Sequence, residues 1–147
     1  IIQFDIEGRT VLDLFSGTGQ LGIEALSRGA ERCTFVDLRK DAAAVIRENL
    51  AHCRMEEQAT VIQGDSLAFL SGCRERFDLV FLDPPYRTGL LEKALETIAK
   101  IDIVTGNGII VCESPAESVL PEGTAPYEKG REYRYGKIKI TLYRRTV

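Results

Sequence analysis

The sequence predicts a doubly wound α/β domain: a mostly parallel seven-stranded sheet, covered by helices and closed by an antiparallel C-terminal hairpin. Three observations predict it. Short apolar, β-branched runs alternate with longer stretches of helical periodicity, glycine-rich or acidic turns follow the runs, and beyond residue 126 the pattern changes to polar–apolar alternation.

The first run, TVLDLF (10–15), reads as a strand, and GQLGIEALSRG (19–29) as the helix that follows it. RCTFVD (32–37) and KDAAAVIRENLAHC (40–53) repeat the unit. In that second helix Ala42, Val45, Ile46 and Leu50 recur at helical spacing, while Arg47 and Glu48 fall on the opposite side. The alternation continues through ATVIQG (59–64), a short helix SLAFLSGCR (66–74), FDLVFLD (77–83), the helix TGLLEKALETIAK (88–100) and GIIVCES (108–114). Parallel strands need a helical crossover to return the chain to the same end, so both sheet faces are expected to be covered. After a link rich in Pro, Gly and Glu (115–126), YEKGREYRYGKIKITLYRR (127–145) divides at Gly136 into two alternating runs. That is an antiparallel hairpin at the sheet edge.

With 147 residues, 44% hydrophobic and 28% charged, the chain has the composition of one globular domain with a full core. No apolar run approaches the ~20 residues needed to cross a bilayer, and the opening IIQFDIEGR lacks the order of a secretory signal. A cytoplasmic protein is expected. Cys33, Cys53, Cys73 and Cys112 form no C-x-x-C pair and His52 is the single histidine, so no metal site is expected and the cysteines read as reduced. Ile1, Ile2, Phe4 and Ile6 read as the tail of an earlier element. Residues 1–147 are thus expected to be a single domain that lacks an upstream N-terminal segment.

The net charge of −3 is unevenly spread. Residues 128–147 carry Lys129, Arg131, Arg134, Lys137, Lys139, Arg144 and Arg145 against Glu128 and Glu132, a balance of +5 that leaves −8 in residues 1–127. Local basic density suits a phosphate-bearing partner, with Lys129, Arg131, Arg134 and Lys137 as candidates. The other reading is an edge hairpin protected from aggregation by its charges.

The segment DLFSGTGQLG (13–22) fits two signatures. From Gly17 it reads G-x-G-x-x-G, a dinucleotide fingerprint, for which Asp37 at the end of the second strand would take the ribose hydroxyls. From Asp13 it reads as an acidic residue ahead of G-x-G, as in enzymes that use S-adenosylmethionine (AdoMet). In both readings the glycines turn the chain sharply and let backbone N–H groups approach a ligand. Asp13 favours AdoMet, because its carboxylate can meet a methionine amino group and would repel a diphosphate. Its structural alternative is to cap the amides of the turn. Asp65, in Gly64-Asp65-Ser66 after the third strand, is placed either to accept from an adenine amine or to N-cap the next helix. Asp13, Asp37 and Asp65 thus stand at the carboxyl ends of successive strands, the edge where open α/β sheets bind ligands.

The fourth strand ends in FLDPPY (81–86). Pro84 and Pro85 stiffen the backbone and remove two N–H donors, Asp83 is held at the tip, and Tyr86 offers an aromatic face. An exocyclic amine on a nucleobase is a poor nucleophile, since its lone pair is conjugated with the ring. Hydrogen bonds from its N–H groups to the Asp83 carboxylate and the Pro84 carbonyl would draw the nitrogen toward tetrahedral geometry and aim the lone pair at a methyl donor. Tyr86 would stack on the base. The alternative is a simple turn after a strand.

Taken together, VLDLFSGTGQLGIEALSRGA, FVD, GDS, FDLVFLDPPY and YGKIKITLYRR resemble the bacterial 16S ribosomal RNA guanine-N2 methyltransferases of the RsmD type, over nearly the whole chain. These are class I AdoMet-dependent enzymes with a Rossmann-like fold. The resemblance implies AdoMet as cofactor, with Asp13, Ser16, Gly17, Thr18 and Gly19 at its methionine end, Asp37 at the ribose, and Asp65 and Ser66 at the adenine. It implies that Asp83, Pro84, Pro85 and Tyr86 meet a target guanine in ribosomal RNA or the small subunit, with no membrane involved. The resemblance implies an upstream segment containing Arg and Thr, which this chain is expected to lack. The same acceptor platform would serve an adenine-N6 or cytosine-N4 DNA methyltransferase. A noncatalytic AdoMet- or RNA-binding module and an NAD-dependent oxidoreductase are the readings from other classes.

Overall fold

The computed structural model describes residues 5–85 and 88–145. Strand β1 (Thr10–Leu14) leads into helix α1 (Gln20–Ser27), β2 (Arg32–Asp37), α2 (Lys40–His52) and β3 (Ala59–Gln63). Then come α3 (Ser66–Gly72), β4 (Phe77–Leu82), α4 (Leu90–Ile101) and β5 (Val104–Pro115), followed by β6 (Gly123–Thr124), β7 (Tyr127–Tyr135) and β8 (Ile138–Arg145). All join one sheet in the order β3-β2-β1-β4-β5-β8-β7-β6. The first five strands pair in parallel and the last three antiparallel.

The central strands are apolar at nearly every position because helices cover both faces. Successive residues point to opposite sides of the sheet and so build two cores. On one side Val11, Phe35 and Leu79 pack with Leu26 of α1 and Ile46 and Leu50 of α2. On the other, Leu12, Val36 and Val80 pack with Leu70 of α3 and Leu95 and Ile98 of α4.

Several boundaries differ from the sequence reading. The fifth strand begins at Val104, ahead of the expected 108, and reaches it across a register shift between Phe77 and Leu79. Asp78 makes this possible: its carboxylate accepts from the Thr10 amide at 2.9 Å and from the Thr105 hydroxyl at 2.7 Å, joining the starts of three strands. The two-residue β6 adds an edge strand within the link rich in Pro, Gly and Glu, pairing with β7. Helix α4 begins at Leu90 because Gly89 adopts a left-handed φ of 75° at its N-cap.

The hairpin's charges divide by function. Lys139 is 3% exposed and pairs with Glu132 at 3.1 Å, while Arg145 pairs with Asp102 and stands 5.5 Å over the Tyr127 ring. Lys129, expected to face a partner, is instead held at 2.7 Å by Glu122 because the link folds back along β7. Arg131, Arg134, Lys137 and Arg144 are exposed. The four cysteines are free, Cys33 and Cys112 buried, Cys53 exposed and Cys73 in between. Among the described residues no helix is long and apolar enough to cross a membrane.

Helix α1 packs tightly on β2 at Gly22, where a Cβ would stand 2.4 Å from Cε2 of Phe35 and 2.7 Å from Sγ of Cys33. Gly22→Ala is expected to destabilise the fold by roughly 1–3 kcal/mol through overpacking, read as a lower urea midpoint at unchanged slope. A midpoint equal to wild type would contradict this packing.

Candidate active site

The parallel register sets Leu14 beside Val36 and Leu82, and Leu82 beside Cys112. The next residues, Phe15, Asp37, Asp83 and Glu113, therefore emerge together at the carboxyl edge. There a cavity of about 630 Å³ is lined by Phe15 and Gly17 after β1, Asp37 to Arg39 after β2, Asp65 to Leu67 after β3, Asp83 to Pro85 after β4, and Leu90.

The turn after β1 reverses through three left-handed residues: Phe15 at φ 63°, Gly17 at 59° and Gly19 at 81°. For Phe15 that conformation costs about 1–3 kcal/mol, and the surroundings must impose it. Ser16 does so. Its hydroxyl donates to the Asp13 carbonyl at 2.5 Å, its Oγ accepts from the Val36 amide at 2.9 Å, and its own amide donates to the Val36 carbonyl at 2.9 Å. The Ser16 side chain is thus a strut between β1 and β2. The Gly17 amide donates to Asp37 Oδ2 at 2.8 Å, and the Arg39 amide to Asp37 Oδ1 at 2.9 Å. A Cβ on Gly17 would meet nothing within 4 Å, so the backbone there is open to an approaching ligand.

Four residues expected against the cofactor do not line this cavity: Asp13, Ser16, Thr18 and Gly19, of which Ser16 and Gly19 are buried within the turn. Asp13 is 1% exposed and lies beneath the turn, where its Oδ2 accepts from the Gly22 amide at 3.0 Å. Burial pushes its carboxyl up to about 8; the Gly22 N–H opposes this, and Asp83 and Asp37 add to it. Thr18 is exposed and borders a separate hollow with Gln20, Asn49 and His52, because the chain turns away after Gly17.

The remaining expected residues meet at the edge. Asp65 lines the cavity and also N-caps α3, accepting from the Ala68 amide at 2.9 Å. Ser66 is 4% exposed within the wall. Asp83 is pushed up to about 7, first by burial and then by the neighbouring Glu113 carboxylate. Pro84 is buried, and the Pro85 carbonyl accepts from the Thr88 hydroxyl at 2.8 Å. Tyr86 lies outside the described residues.

Sequence reasoning missed Phe15, Leu38, Leu67 and Leu90 in the wall and Glu113 beside it. Leu38 is 64% exposed at the tip of β2, and a large apolar residue directly after Asp37 was a readable signal. Glu113 carried none, since only the β4–β5 register brings it to Asp83.

Asp37, Asp65 and Asp83 line the cavity, Asp13 lies below it, and among the described residues Arg39 is the one basic residue in the wall, ion-paired with Asp37 at 3.8 Å. This set suits a ligand that carries positive charge and hydrogen-bond donors, and it disfavours a diphosphate. AdoMet, with a sulfonium and an ammonium, fits, and the volume is within the ~300–1,000 Å³ usual for cofactor sites. Among the described residues no group of three or more His, Cys, Asp or Glu side chains is placed to hold a metal ion.

A sheet of this order, with its acid-lined cavity at the carboxyl edge, defines a class I AdoMet-dependent methyltransferase fold. Residues 1–144 match the family model described as "Conserved hypothetical protein 95", and the chain belongs to that family. The "Ribosomal RNA small subunit methyltransferase D" of Escherichia coli (strain K12) is 33% identical over 134 residues, which span 91% of this chain and 67% of that protein. A solved conserved hypothetical protein from Streptococcus pyogenes superposes with a TM-score of 0.87 at 34% identity, covering 93% of this chain and 86% of that one. SMU.776, solved in complex with SAH, shares the fold at a TM-score of 0.79 and 18% identity, covering 94% of this chain and 46% of that one.

With Asp13 and Asp83 both raised, the ligand-free protein binds more protons than its unfolded chain from the ordinary carboxylate range up to about 8. Its stability should therefore fall as pH rises through that window. Asp13→Asn keeps an oxygen for the Gly22 amide and should flatten the fall, followed as urea midpoint against pH. A profile parallel to wild type would show that this charge is not buried.

Proposed function

We propose that this chain transfers a methyl group from AdoMet to the N2 amine of a guanine in 16S ribosomal RNA, acting in the cytoplasm on the RNA or the small subunit. Membership of a family whose relatives are ribosomal RNA methyltransferases supports AdoMet-dependent methylation of ribosomal RNA. The observation that carries the finer reading is the Asp83-Pro84-Pro85 strip in the wall of a cavity to which Asp37 and Asp65, after neighbouring strands, also contribute.

In this reading Gly17 and the turn above Asp13 hold the methionine end, Asp37 the ribose, and Asp65 the adenine, with Leu38 against the adenine face. When bound, AdoMet supplies an electrophilic methyl group and leaves as S-adenosylhomocysteine. Asp83 accepts a hydrogen bond from the target amine and takes the proton that the nitrogen releases as its bond to carbon forms. A carboxyl pushed up to about 7 suits that exchange near neutral pH. The two prolines hold the Asp83 backbone rigid, and Tyr86 is assigned the base-stacking role. Arg131, Arg134 and Lys137, exposed along the hairpin, contact RNA phosphate, while Lys129 supports them by fixing the link.

The direct test supplies labelled AdoMet with small subunits that lack the modification, or with duplex DNA. Label is expected in N2-methylguanosine of the RNA, and label found only in DNA overturns the reading. Asp83→Asn is expected to lower kcat by on the order of 10²-fold with AdoMet affinity changed by less than about threefold. Turnover near wild type would remove Asp83 from the mechanism. Reversing Arg131 and Arg134 to Glu should raise KM for the RNA substrate about tenfold or more, at unchanged AdoMet affinity.

A further inference from the structure

A second cavity of about 380 Å³ shares Pro84 and Pro85 with the first and extends toward β5. Its wall carries Glu92, Glu113 and Glu117 and no basic residue among the described ones. Glu113 is the residue that follows Cys112, and Cys112 pairs with Leu82 directly before Asp83, so the two carboxyls lie side by side across the strand edge. The negative charge of Glu113 disfavours ionisation of Asp83, so the two carboxyls crowd each other with no donor between them among the described residues. A planar group that presents two adjacent N–H donors would relieve that crowding.

We propose that Glu113 is a specificity-determining residue that accepts the N1–H of the target guanine while Asp83 accepts from its N2 amine. This deepens the function proposed above and rests on it. The chemistry selects the base. Guanine places N1–H and N2–H side by side on its Watson–Crick edge, whereas adenine and cytosine place a ring-nitrogen acceptor beside their amine, which two carboxylates would repel. The strong rise of the Asp83 carboxyl, which Glu113 shares in causing after burial, accords with a pair built to receive donors. Acidic Glu92 and Glu117 in the same wall add to the preference for donors and against phosphate.

The test uses a ribosomal RNA fragment that accepts methyl groups, remade with 2-aminopurine at the accepting position. That base keeps the exocyclic amine and replaces N1–H by an acceptor. Wild type should prefer the guanine RNA by about 10- to 100-fold in kcat/KM, the range for loss of a hydrogen bond to a charged group. Glu113→Gln, whose amide can accept from guanine or donate to 2-aminopurine, should narrow that ratio to about threefold or less while AdoMet affinity, read by calorimetry, stays near wild type. An unchanged ratio in Glu113→Gln, or loss of transfer to both RNAs alike, overturns the inference. Should the variant not bind AdoMet, the wild-type ratio decides: equal use of the two RNAs overturns the role of Glu113 and leaves methyl transfer intact. Wild type that transfers nothing to guanine RNA overturns both readings.

Discussion

Leu14, Val36, Leu82 and Cys112 stand in line across four parallel strands, and every polar group at the carboxyl edge depends on that alignment. Slipping any strand by one residue would send its next side chain to the opposite face. The register is also held from the far end. There Asp78, kept below the ordinary carboxylate range by hydrogen bonds from Thr10 and Thr105 despite its partial burial, clamps β1, β4 and β5. One carboxylate at the amino edge thus positions two others, Asp83 and Glu113, at the carboxyl edge.

The two edges use the same chemical group to opposite ends. Asp78 receives donors from its own chain and is satisfied. Asp13, Asp37, Asp83 and Glu113 are crowded together with few cations near them, a condition that folding alone would not favour. Perturbed carboxyls gathered in a cleft are a mark of functional sites, because the site is completed by what it binds. A cationic ligand below and a donor-rich base beside it would relieve the crowding on both sides of the Asp83-Pro84-Pro85 strip.

Much of this was legible in the chain itself. Strand and helix periods are local, so the five parallel strands and their helices emerged nearly at the observed bounds. The glycine turn and the Asp83-Pro84-Pro85 strip were legible because their residue types have strong backbone preferences. Pairing across the sheet was not. Glu113 meets Asp83 only through register, and Lys129, Lys139 and Arg145 look like free surface charge until Glu122, Glu132 and Asp102 are found beside them. Gly106 and Asn107 lie ahead of the expected fifth strand, yet they fall within β5 because Asp78 and Thr105 extend the pairing around them. Asp65 shows a different limit: capping α3 does not take it out of the cavity wall, so its structural reading does not exclude the other.

The division of the hairpin's cations bears on ionic strength. Lys129, Lys139 and Arg145 already face carboxylates, so a polyanion laid on this surface would displace condensed counterions mainly through Arg131, Arg134, Lys137 and Arg144. Four such contacts correspond to a slope no steeper than about −3 to −4 in log affinity against log salt concentration. Attachment through the hairpin would therefore be shallow and reversible, which would leave the fit of a single base at the sheet edge to decide where the chain stops.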